Sequence, residues 1–272
     1  MKLPADRPTD RLDATKGALA PSKPSMVRWF WGAAFASLLA TTAWCQTADD
    51  TLQTAYDNLR GEQWASFQLL GTDTVGVQVS PLEVDANWSS PVGVPNPLTQ
   101  LSLESLRSNV QYDFWVADGT QLWRYADDAN QYQAATYGAF AGATPPNYVD
   151  SLLQSLVAES RGPALYVSRL LRDVYAGPQA TYKSWVPQTT PVVTTDETTT
   201  TISYGNAIKT VVFTVDTSSG NLKKIDYTAT QGIRAEAWEL TITTFNAGPL
   251  DWRFTFTPPP DAQPVALPSS GH

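Results

Sequence analysis

The chain has 272 residues, of which 42% are hydrophobic and 16% charged. That balance supports one large or two small folded domains and argues against wholesale disorder. Six of its 18 basic and three of its 26 acidic residues precede Gln46, which leaves 12 against 23 and a net charge of −11 downstream. Without a basic run to neutralise phosphates, nucleic acid is excluded as a partner and attraction to an anionic membrane surface is disfavoured.

Residues 1–25 are polar and read as an upstream extension, with Met26 the more natural initiator. Met26-Val27-Arg28 and the apolar stretch Trp29–Ala43 have the form of a signal peptide. About 15 apolar-type residues suit an h-region better than a membrane span of roughly 20, a retained anchor being the alternative. Small residues at Ala43 and Cys45 suit cleavage before Gln46, so an extracytoplasmic location, periplasmic or secreted, is expected. Lipid attachment at Cys45 is disfavoured, because Thr42 and Trp44 stand where a lipobox has a Leu-like and a small residue.

Cys45 is the sole cysteine and His272 the sole histidine. This removes the Ser-His-Asp triad, the Cys-His dyad and His or Cys zinc sites. No enzymatic activity, cofactor or metal is expected.

Leu52, Ala55, Tyr56 and Leu59 recur at helical spacing, so Asp50–Arg60 is predicted to be a helix, capped by Asp49 or Asp50 and closed by Gly61. From Trp64 the period becomes two: Phe67 and Leu69, then Val75, Val77 and Val79, alternate with polar residues or glycine. Residues 80–99 hold four prolines and read as a loop with a short strand at Leu82–Trp88. A meander follows, with Val110, Tyr112, Phe114 and Val116 on one strand face, a turn at Asp118-Gly119, and strands at Leu122–Tyr125 and Gln131–Ala135. Gly138–Pro146 reads as a loop.

The one substantial helical region spans 149–174. Leu152, Leu153, Leu156 and Val157 form a stripe, capped by Asn147 or Asp150. Gly162-Pro163 breaks it, and Leu165, Tyr166, Arg169, Leu170 and Val174 form a second helix ending before Gly177-Pro178. The Thr-rich stretch Thr189–Thr201 reads as an exposed strand pair rather than a stalk, Thr being β-branched. Strands at Lys209–Val215, Leu222–Thr230, Arg234–Phe245 and Asp251–Phe256 complete the run, and Pro258-Pro259-Pro260 ends it. Residues 46–262 are thus one domain and 263–272 a frayed tail.

Three local pieces resemble a known group. They are Asp118-Gly119-Thr120-Gln121-Leu122-Trp123-Arg124-Tyr125 with Asn130-Gln131-Tyr132; Val211-Val212-Phe213-Thr214-Val215-Asp216 with Gly220-Asn221-Leu222; and the ending Phe254-Thr255-Phe256-Thr257-Pro258-Pro259-Pro260-Asp261. Their order from Asp49 to Val265 resembles the periplasmic lipoprotein-carrier superfamily of LolA and LppX-like lipid carriers. The resemblance implies an α+β, mainly β fold: a curved antiparallel sheet forming an incomplete barrel, helices over its concave face, and an acyl chain held between them. The proline-rich 80–99 loop and the Thr-rich 189–201 stretch depart from that pattern.

On this reading Phe67, Val77, Tyr112, Phe114, Phe213, Ile225, Tyr227, Trp238, Leu240, Ile242, Phe254 and Phe256 line an apolar cavity. Leu152, Leu156, Leu170 and Val174 face it from a lid. The same residues also suit an ordinary sheet–helix core, and the sequence leaves both open. Asp127-Asp128 and Asp196-Glu197 read as solvated turns, since adjacent carboxylates do not flank one bond. Trp64, Trp88, Trp115 and Trp185 read as packed aromatics more readily than as a sugar platform. The expected function is an exported carrier whose partner is a lipid or acylated protein, with an envelope protein as a further contact. An envelope-stress sensor domain and a carbohydrate-binding or adhesive β-protein stay as alternatives.

Overall fold

The computed structural model describes residues 47–89, 100–107, 110–136, 153–154, 156–158, 160, 162–175, 182–245 and 251–265, without the side chains of 106–107, 110–113 and 251–252. The signal-peptide reading, the 138–146 loop, Leu152 and its capping residues, Gly177-Pro178 and the Tyr112 side chain lie outside this set.

The first helix, α1, spans Ala48–Gly61, starting two residues before the expected Asp50 and taking in Gly61, with Glu62 as its C-cap. Thr47 is the cap: its Oγ1 accepts from the Asp50 amide at 3.1 Å, and Asp50 Oδ2 accepts from the Thr47 amide at 3.4 Å. This reciprocal pair satisfies two amides of the first turn, so Asp50 completes the cap rather than forming it. Leu52, Ala55, Tyr56 and Leu59 face inward as expected.

The strands are β1 (Trp64–Val75), β2 (Gln78–Ser89), β3 (Gln100–Arg107), β4 (Val110–Asp118), β5 (Gln121–Ala126) and β6 (Gln131–Thr136), then β7 (Val192–Thr195), β8 (Thr199–Gly205), β9 (Lys209–Asp216), β10 (Leu222–Gln231), β11 (Arg234–Thr244) and β12 (Gln263–Pro264). A further helix, α2, spans Ala164–Tyr175, and residues 153–154 and 156–158 before it are also helical. All twelve strands form one sheet in the order β12-β6-β5-β4-β3-β2-β1-β11-β10-β9-β8-β7. The pairs are antiparallel except the short β12–β6 contact. Two meanders, β1 to β6 and β7 to β11, therefore meet at the β1–β11 seam, and β7 and β12 leave the sheet open at its ends.

Several expectations need correction. Val77 does not continue a strand: it sits in the β1–β2 turn beside Gly76, which adopts φ +61°, and is 98% exposed. Val79 then belongs to the next strand and is also exposed. The expected loop at 80–99 is a full strand as far as Ser89. Pro81 fits there because the ladder to β3 begins only at Glu83, so β2 has β1 alone beside it at that point. β3 went unrecognised, although Leu101 and Leu103 alternate with Ser102 and Glu104. Asp251–Phe254 forms a 3-10 turn rather than a strand. Gln263–Pro264 pairs with β6, so the tail begins ordered. The Thr-rich stretch is the expected exposed strand pair, β7 and β8.

Alternation sends one set of side chains to the inner face of the sheet, where α1 and α2 cover them. Phe67, Leu69, Val84, Ala86, Trp88, Leu101, Leu103 and Trp115 come from the first meander. Phe213, Ile225, Trp238, Leu240 and Ile242 come from the second, and all join one continuous core. Each fully buried Val, Leu, Ile or Phe among them contributes roughly 1.5–3 kcal/mol. Gly71 lies directly opposite Trp238; a Cβ there would come within 2.3 Å of the Ala237 carbonyl oxygen, so only glycine lets the seam close over the indole.

Candidate functional site: two faces of one sheet

The inner face brings together most of the residues expected to line a cavity. Phe67, Phe213, Ile225 and Leu240 are fully buried, and Ile242 and Trp238 nearly so. Tyr227 is half-buried and stacks on Trp238, with ring centroids 4.7 Å apart and planes within 6°. Phe213 lies edge-on to Tyr182 and Tyr204, at 6.1 and 6.4 Å. Of the expected lid, Leu156, Leu170 and Val174 are fully buried in the same core, while Leu152 lies outside the described residues.

The helical cover is fixed by polar contacts at its far end. Arg60 Nε on α1 donates to the Val174 carbonyl at 2.8 Å, and Tyr175 Oη donates to the Leu59 carbonyl at 3.3 Å. Tyr175 also stacks on Trp88 at 4.2 Å. Asp173 is buried, accepting from Arg172 at 2.7 Å and from Ser184 Oγ. The opposite end of α2 begins at Gly162-Pro163, where Gly162 adopts φ +54°. There a recess of about 320 Å³ opens between Pro163 just before the helix, Tyr166 on it, and Val75, Leu82 and Glu236 on the sheet. Asp73, Ser80 and Arg234 also line it, and of its apolar lining residues Val75 is exposed; Val79 and Ile233 are exposed on the two nearby hairpins. The Gly76 amide donates to the Ile233 carbonyl at 2.9 Å and joins the two tips.

Among the described residues, the polar groups on the inner side without a hydrogen-bond partner include Tyr56 Oη, Trp88 Nε1, Ser105 Oγ and Trp185 Nε1. Their residues are 4% exposed or less. Burial, before the nearby Asp173 and Tyr182, holds the Tyr56 hydroxyl well above the ordinary tyrosine range, so it remains a donor. An unpaired buried donor costs roughly 1–3 kcal/mol, and folded proteins pair the great majority of them. Sequence reasoning missed this feature, because Trp88 and Trp185 were weighed only as packing or as a sugar platform. Trp88, Trp115 and Trp185 are buried inside while Trp64 lies on the outer face, so the four share no exposed surface.

The remaining expected lining residues belong elsewhere. Phe114 is on the outer face: the β3–β4 register pairs Leu103 with Trp115 and Glu104 with Phe114, so Trp115 points inward. The expectation that Phe114 faces inward is therefore corrected, since Trp115 and Ala117 are the inner residues of β4. Phe254 and Phe256 also leave the inner core. They lie in the C-terminal segment that crosses the outer face, against Trp64 at 6.2 Å and Phe114 at 5.5 Å.

Beneath that segment lies a cleft of about 540 Å³. Its floor is two cross-strand rows. Ser66, Asn87 and Ser102 form one; Asp85, Glu104 and Phe114 form the other. Arg253 walls it and donates to Asn87 Oδ1 at 2.6 Å, while Asn87 Nδ2 donates to Ser102 Oγ at 3.1 Å. Burial, then the Asp85 and Glu83 charges, raises the Glu104 carboxyl above its ordinary value. Among the described residues no group of His, Cys, Asp or Glu is arranged to hold a metal ion, and no helix is long and apolar enough to cross a membrane.

No family model matches the chain, and no curated protein matches it. Among solved structures it is similar to LprF from Mycobacterium bovis, at 13% identity over 79% of this chain and 96% of that one, with a TM-score of 0.37. It is also similar to a LolA superfamily protein from Nitrosomonas europaea, at 9% identity over 77% of this chain and 98% of that one, with a TM-score of 0.23.

Proposed function

We propose that the protein is an exported carrier, mature from about Gln46, that takes up an acyl chain of a lipid or lipoprotein between the inner face and its helical cover. The observation that carries this reading is the set of unpaired buried donors in a largely apolar interior. A hydrocarbon chain suits the aromatic and aliphatic lining, and the ester or carboxyl oxygens at its head supply the acceptors that Tyr56, Trp88, Ser105 and Trp185 lack. The route in is the recess at the start of α2, where Gly162-Pro163 interrupts the helical cover and Val75, Leu82 and Tyr166 supply apolar lining beside the charged Asp73, Arg234 and Glu236. Uptake requires α2 to swing or slide, because the lining is closely packed in the described form. No catalytic step belongs to this reading; the residues bind and shield.

The test is lipid extraction and mass analysis of protein purified from an export-competent host, beside titration of the delipidated protein with a fluorescent fatty-acyl probe. Co-purified acyl lipid and saturable probe binding are expected. Folded protein that yields no lipid and binds no probe overturns the carrier.

A further inference from the structure

We propose that the outer-face cleft is a second binding site, taking the hydroxyl array of a neutral sugar. It lies on the side of the sheet opposite the helices and stands independently of the carrier reading. Its volume of about 540 Å³ falls within the roughly 300–1,000 Å³ typical of small-ligand sites. The cleft is walled on one side by the 251–256 segment, which Trp64–Phe254 and Phe114–Phe256 contacts hold in place.

The lining chemistry selects the ligand class. Asp85 and Glu104 are directly opposed on β2 and β3, and among the described residues no hydrogen bond or ion pair reaches either carboxylate. Like charges in that position destabilise a sheet, and the same strands hold neutral Asn87 opposite Ser102 one row away. Ionised carboxylates only accept hydrogen bonds, Arg253 only donates, and the Ser66 and Ser102 hydroxyls do both. A ligand that meets all of them must present several groups that donate and accept, which is the property of adjacent sugar hydroxyls. Phe114 ends the carboxylate row and offers an apolar ring edge or face to the C–H surface of a pyranose. A simple ammonium would satisfy the carboxylates but leave Arg253 against a like charge.

The experiment is an NMR titration of the full chain with a panel of neutral saccharides, glucose, galactose, mannose and their disaccharides, beside putrescine as the cationic probe. Saturable shifts at β2, β3 and the 251–256 segment are expected for at least one saccharide. Asp85→Asn, Glu104→Gln and Phe114→Ala should each weaken that binding tenfold or more, whereas Val77→Ser, at a distant turn, should leave it unchanged. Thermal unfolding of each variant confirms that it remains folded, and the near-isosteric Asp85→Asn and Glu104→Gln carry the test if Phe114→Ala does not. Absence of saturable binding across the panel overturns the proposal, as does saccharide binding that survives the carboxylate substitutions. Putrescine binding without saccharide binding replaces it with a cation site. Acyl-probe affinity should not change in the carboxylate variants, so failure here is separable from failure of the carrier.

Discussion

The two faces of β1 to β4 are built from the same strands, residue by residue in alternation, yet they carry opposite chemistries. Inward, Phe67, Val84, Leu103 and Trp115 are sealed by helices; outward, Ser66, Asp85, Ser102 and Glu104 floor a polar cleft under a short C-terminal strap. The sheet register sorts residues, and the covering element decides what each face becomes. Helices with an apolar stripe complete a core, whereas a strap anchored by Phe254 and Phe256 at its own contacts leaves the ground beside them open.

The largest effect should come from opening a void on the inner face. Phe213→Ala is expected to lose about 3–5 kcal/mol of ligand-free stability, because Phe213 is fully buried among close-packed rings. Denaturant titration measures it; a loss near 1 kcal/mol would mean that the packed form is not the ligand-free form in solution. Crowding the same face comes next. Gly71→Ala should cost about 1–3 kcal/mol, since the new methyl meets the Ala237 carbonyl and the Trp238 Cα and Cβ. Preserved stability with a shifted indole fluorescence would show that the seam yields instead.

The outer face should respond with the opposite sign. Glu104→Gln removes a like-charge opposition and is expected to gain about 0.2–1 kcal/mol at neutral pH. Its pH dependence follows from the raised folded pKa: stability attributable to Glu104 is greatest at low pH and is lost as pH climbs above the ordinary 4.5 through the raised value. Asp196 behaves in reverse. Amide and hydroxyl donors from Thr198 and Thr199 lower its pKa to about 2, so its contribution is present above the ordinary 3.8 and lost as pH falls toward 2. Acid titrations of Glu104→Gln and Asp196→Asn should therefore flatten different parts of the stability curve; identical curves would refute both assignments. The smallest effect belongs to Val77→Ser, within about 0.5 kcal/mol of the parent by thermal melt, because the side chain touches almost nothing.

Most of the strand inventory was legible because period-two patterns survive wherever one face is buried, as in Val211, Phe213 and Val215. The faces themselves were less legible. In β4, aromatic residues occupy both sides, Phe114 and Trp115 being adjacent, so hydrophobicity could not say which pointed inward; only the pairing with Leu103 decides. β2 was shortened by its proline, whose tolerance depends on where the next strand begins to pair. The outer cleft was invisible for a related reason. Asp85, Asn87, Ser102 and Glu104 look like ordinary solvent-facing strand residues until the register sets them side by side. Phe254 and Phe256 suggested a strand by alternation, but their role is to anchor a strap.

The seam at the middle of the sheet also bears on how the chain acquires its structure. Each meander closes through short hairpins, but joining them requires Ala65 to find Thr244 and Leu69 to find Leu240 across most of the chain. Contacts so remote in sequence are formed slowly, because loop closure must precede the interactions that reward it. The long central strands β1 and β11 would therefore stay unzipped until late in folding. On the proposed export reading, that delay keeps the chain threadable during translocation; in either case the same delay exposes two long strand edges to aggregation until the seam shuts.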